Sequence, residues 1–69
     1  MNPITKELES RRKEIAKELE LLFKANMKIT DWDVPEADDR LAARELLRIL
    51  REEIDRLEAD IEAGKYDNY

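Results

Sequence analysis

Asn26-Met27-Lys28-Ile29-Thr30-Asp31-Trp32-Asp33-Val34-Pro35-Glu36 decides the fold, because it is the one stretch where helical spacing fails. It holds the only interior proline and the only tryptophan of a 69-residue chain, and it lies near the middle. Val34 precedes Pro35, and sterics disfavour helical geometry for a residue in that position. The stretch therefore reads as a corner over residues 29–34, with a second helix starting at Pro35, where proline suits the first helical turn. Thr30-Asp31-Trp32-Asp33 has the form of a capping box, Thr with an acid three residues on. Met27, Ile29, Trp32, Val34 and Leu41 supply apolar area for a small cluster closing the end of a bundle, with Trp32 its end-cap or, in the alternative, an interface anchor.

Outward from the corner, both arms carry helical patterns. The first arm, residues 3–28, opens with Asn2-Pro3, a capping residue followed by a proline whose missing N–H had no partner there. Ile4, Leu8, Ile15, Leu19 and Leu22 fall on one stripe at ~100° per residue, with Phe23 on its flank. In heptad terms Leu8, Ile15 and Leu22 occupy d, while Thr5, Arg12, Leu19 and Asn26 occupy a. Arg12 can lay its methylenes along such a seam with its head in water, and Asn26 can fix register or simply sit wet at the end.

The second arm, residues 35–63, is more regular. Ala43, Leu47, Leu50, Ile54, Leu57 and Ile61 are spaced 4-3-4-3-4, and Leu46 widens the stripe as in a helix packed against more than one neighbour. Glu36, Asp38 and Asp39 fall near its start, where exposed amides favour negative charge. Gly64 follows Ala63 where a left-handed residue commonly ends a helix, and residues 64–69 form a tail. Pairing two such arms in parallel sets Glu53 near Glu58 of the other copy. Running them antiparallel about Arg51 brings Arg44 towards Glu58 instead.

Composition fits this class. Charged residues make up 45% of the chain and hydrophobic ones 42%, with one Gly and two Pro, a profile of long helices and coiled coils. Without Cys or His there is no thiolate or imidazole to ligate metal or act as nucleophile or base. Ser10, the only serine, has lysines and acids for neighbours rather than a base held by a third group. The five acids between Asp31 and Asp39 miss the calcium-loop pattern, since Pro35 takes the third ligand position and no Gly follows. No enzyme activity, cofactor or metal is expected. A net charge of −5 argues against phosphate backbones and anionic membranes. No apolar run reaches the ~18 residues of a membrane span and no secretory signal is evident, so the cytoplasm is the expected compartment.

Lys6, Lys13, Lys17, Lys24 and Lys28 line the face opposite the first stripe. They read as a solvated face, supported by Glu9–Lys13 and Glu20–Lys24 in the favourable order, or as a track for nucleic acid. A chain this short buries little apolar surface alone. The expected remedy is a homodimer of antiparallel hairpins forming a four-helix bundle, with Leu8, Ile15, Leu19, Leu22, Leu46, Leu47, Leu50, Ile54, Leu57 and Ile61 at the interface. The alternative is a small subunit docked on a larger protein through Leu46, Leu50 and Leu57. In layout the chain resembles the Rop-type plasmid copy-number regulators: a short chain, two helices, one tight corner, a dimeric bundle. The resemblance is one of architecture and transfers no functional residues. It implies a grip on paired RNA loops through the first helices, with the Lys6–Lys28 track as the corresponding surface. The expected function is that of a structural or adaptor protein working through helix–helix contacts, with a nucleic-acid-binding regulator as the second reading.

Overall fold

The computed structural model describes residue 2, residues 3–34, Glu36 and residues 38–69. The described residues are all-helical, in the order α1 (Pro3–Ser10), α2 (Arg12–Asp33) and α3 (Asp39–Glu62). No helix among them is long and apolar enough to cross a membrane.

Asn2 caps α1 as its sequence position implies, its Oδ1 accepting from the Ile4 amide at 2.7 Å. The first arm is not one helix, however. It breaks at Arg11, whose backbone (φ −103, ψ 8) leaves the helical region. The Ser10 hydroxyl donates back to the Glu7 carbonyl at 2.6 Å, and the Arg11 amide bonds Leu8 three residues back at 3.1 Å. A back-bonding serine bends a helix, and a three-residue bond tightens its last turn.

The corner also lies later than the sequence pattern implies. Residues 29–33 continue α2, and the Thr30 hydroxyl donates to the Asn26 carbonyl instead of capping a new turn. Asn26 does the same to Leu22 at 2.9 Å. The helix runs on through Ile29–Asp33, although these residues have only middling to poor helix propensity, and ends at Val34, whose backbone leaves the helical region (φ −134, ψ 78) as the sterics of a residue before proline favour. The start assigned to Pro35 lies outside the described residues, but Glu36 is still in a turn and α3 begins at Asp39. Its cap is Asp38, whose Oδ1 accepts from the amides of Arg40 and Leu41 at 2.9 and 3.2 Å.

At the far end Gly64 adopts φ +84, where a side chain would be strained. Its amide bonds Ile61 and that of Lys65 bonds Asp60, closing the last turn of α3. The tail is turned rather than extended, with Tyr66 and Tyr69 edge-to-face at 5.4 Å between ring centroids.

Packing between elements is confined. α2 and α3 contact each other, and α1 touches only α2. Apart from Asp60, covered by its own ion pairs near the far end of α3, the half-covered helical side chains are Phe23, Met27 and Thr30 on α2 and Ala42, Ala43, Leu46 and Leu50 on α3, all in the halves nearest the link. They repeat at three- and four-residue intervals, so each set forms one helix face. Beyond them the faces part. Among the described residues, no side chain is fully buried. The expected cluster at the corner does not form, since Ile29, Val34 and Leu41 are exposed and Trp32 is 71% exposed. The indole sits on the outer side of α2, away from the Phe23–Met27–Thr30 face that meets α3.

Candidate helix-association surface

α2 presents two apolar faces. One, through Phe23 and Met27, meets α3; the other, through Ile15, Leu19, Leu22 and Ile29, is left open. α3 repeats the division: Leu46 and Leu50 are half-covered, while Leu47, Ile54, Leu57 and Ile61 are exposed. Leu19 and Leu47 border one concavity of about 320 Å³ together with Ala16, Phe23, Leu50 and the Glu20 stem. The two open faces therefore lie on the same side of the molecule and share a groove. Leu22 is 47% exposed and Ile54 53%, values typical of surface side chains although both sit on unbroken apolar stripes.

Leu8 extends the open face across the break. It lines a second hollow of about 320 Å³ with Glu9, Arg12, Ile15 and Ala16. Arg12 stands at a seam position but turns to water, its guanidinium taking both Glu9 oxygens. That fork holds the Glu9 carboxyl below its ordinary range and raises Arg12. It also replaces the expected Glu9–Lys13 pair, because a planar guanidinium matches a carboxylate better than an ammonium does. The Glu20–Lys24 pair is present at 3.0 Å.

Of the lysines, Lys13, Lys17 and Lys24 border one shallow groove of about 440 Å³ with Ala16, Glu20 and Leu21. Lys6 lies on α1, across the break, and Lys28 one helical turn beyond Lys24. Neither lines that groove.

Across the link, Asp31 faces Asp39, whose hydrogen-bonded and like-charged carboxylate pushes the Asp31 carboxyl above its usual range. Among the described residues no group of three or more His, Cys, Asp or Glu is arranged to hold a metal ion. Sequence reasoning missed this carboxyl pair because it took residues 29–34 as the corner, which put Asp31 outside any helix. Comparison with protein-family models, curated proteins and solved structures returns no match.

Proposed function

We propose that this chain is a small structural or adaptor protein that acts without catalysis, through helix–helix contacts, as a homodimer in which two antiparallel helical hairpins close into a four-helix bundle. The open apolar face carries the reading. A folded monomer of 8.2 kDa exposes about 4,500 Å² by the size scaling of globular proteins, and this chain exposes 6504 Å², an excess of about 2,000 Å². Hiding that excess on both copies buries about 4,000 Å² in total, the range of obligate homodimers. The stripes of α2 and α3 share one side and one groove, which is the form a half-bundle needs to receive two more helices. Size exclusion coupled to light scattering tests this. A particle of twice 8.2 kDa is expected, and a well-folded particle of 8.2 kDa overturns the reading.

A second reading rests on the groove bordered by Lys13, Lys17 and Lys24, which has the charge for a phosphate backbone. Gel shifts against RNA and DNA at low and high salt test it. Binding that weakens steeply with salt and is lost on Lys13→Glu, Lys17→Glu and Lys24→Glu supports it; no shift at low salt removes it.

A further inference from the structure

The ion pairs of α3 divide its charges into two sets. Arg48 is held by Glu45 and Glu52, and Arg56 by Glu53 and Asp60. Arg40, Arg44, Arg51, Asp55, Glu58 and Glu62 enter none of the ion pairs among the described residues. These six are spaced 4-7-4-3-4, so they share one flank of the helix. At ~100° per residue that flank borders the open stripe of Leu47, Ile54 and Ile61 on the side away from Leu46. The order along it is three arginines, then three acids. The whole helix follows the same division. Residues 40–51 hold four arginines against one glutamate, net +3, while residues 52–62 hold six acids against one arginine, net −5.

A flank that is basic at one end and acidic at the other complements itself when reversed. We propose, resting on the dimer reading above, that the occupant of the open face is a second copy seated with α3 antiparallel on α3, the two links at opposite ends, and that this flank sets the orientation. A two-fold axis near residue 52 stacks Leu47 on the second copy's Leu57 and Leu50 on its Ile54. On the flank it brings Arg44 to the second copy's Glu58 and Arg40 to its Glu62, with the two Arg51 side chains facing each other at the axis as the one like-charge contact. Seating the second copy with both links at one end instead lays α3 on the other copy's α2. That arrangement sets Asp55, Glu58 and Glu62 against a flank of α2 that holds Arg11, Glu14 and Glu18, net −1 with Arg11 already paired to Glu14, so the three acids meet no matching set of cations. The choice is thus made by charge, because both seatings cover the same apolar stripes.

The chain has no cysteine, so introduced ones report single positions. Arg51→Cys is expected to form a disulfide with itself across the axis. Arg44→Cys mixed with Glu58→Cys is expected to cross-link, while each alone does not. In parallel, a variant carrying Arg40→Glu, Arg44→Glu and Arg51→Glu, and another carrying Asp55→Lys, Glu58→Lys and Glu62→Lys, should each self-associate more weakly, on the order of tenfold or more. Their equimolar mixture should regain a dimer containing one of each. Circular dichroism confirms that each variant remains helical once mixed. A dimer by light scattering that gives neither cross-link nor mixed rescue overturns the antiparallel seating and leaves the dimer standing. A folded 8.2 kDa particle from the unaltered chain overturns both.

Discussion

Gly64 and Asp31 show how single residues set the ends of the long helices. Gly64 closes α3 from a left-handed backbone (φ +84), and a Cβ there meets the Asp67 carboxylate at 3.0 Å. Gly64→Ala should cost about 1 kcal/mol, read as a lower midpoint in urea unfolding, because no L-residue adopts that backbone freely. Asp60, only 15% exposed at its side chain, is gripped by Arg56 on its own helix and by Lys65 beyond the glycine, so the turn is held by charge as well as geometry. Asp31 works the other way. Its carboxyl is raised by Asp39, so the folded state binds the proton more tightly than the unfolded one. That contribution is complete below the ordinary carboxylate range and is lost as pH rises through the raised value. Asp31→Asn should therefore raise the thermal midpoint near neutral pH and leave it unchanged below about pH 4. An equal rise at both pH values would exclude the Asp39 pair as its cause.

The elements are governed by caps and by one break. Asp38 satisfies two amides at the start of α3, and Asp38→Ala should cost about 1 kcal/mol, seen as lost helicity and a lower melting midpoint. Ser10→Ala removes the back-bond to Glu7 and restores a strong helix former, so α1 and α2 should join with a gain of about 0.5 kcal/mol and a stronger 222 nm signal. Much of this was legible beforehand. The cap at Asn2, the glycine stop at Gly64 and the unbroken stripe of α3 are local matters, fixed by residues a few positions apart. The corner was displaced because Thr30 satisfies both a capping pattern and a back-bond to Asn26, and only the helical run from Ile29 to Asp33 decides between them. Arg11 gave no signal at all. Ser10 is only a slightly weaker helix former than its neighbours, too small a difference to mark a break, and a bend that depends on one hydroxyl rotamer is invisible to periodicity. Trp32 was misplaced for a related reason: burial depends on where the helix ends, and a shift of a few residues turns its indole outward.

At the scale of the molecule, the surface asks for company. Leu22→Glu and Ile54→Glu fall on side chains that are exposed in the single chain, where such changes cost at most about 0.5 kcal/mol. Within a bundle each buries a charge, so the expected outcome is loss of the dimer together with most of the helical signal at micromolar concentration. Retention of full helicity by both variants would show that these faces stay wet. If the second copy supplies the stability, the melting midpoint should also climb with protein concentration, and a midpoint independent of concentration would oppose it. The break at Arg11 adds something further. Eight residues of α1 hang from α2 by an irregular joint and contact no other helix among the described residues. Such an arm can fray without disturbing the rest, so its amides should exchange deuterium well ahead of those in the middle of α3. An association built across that joint would then tighten in two stages, the long helices docking first and the amino-terminal arm latching afterwards.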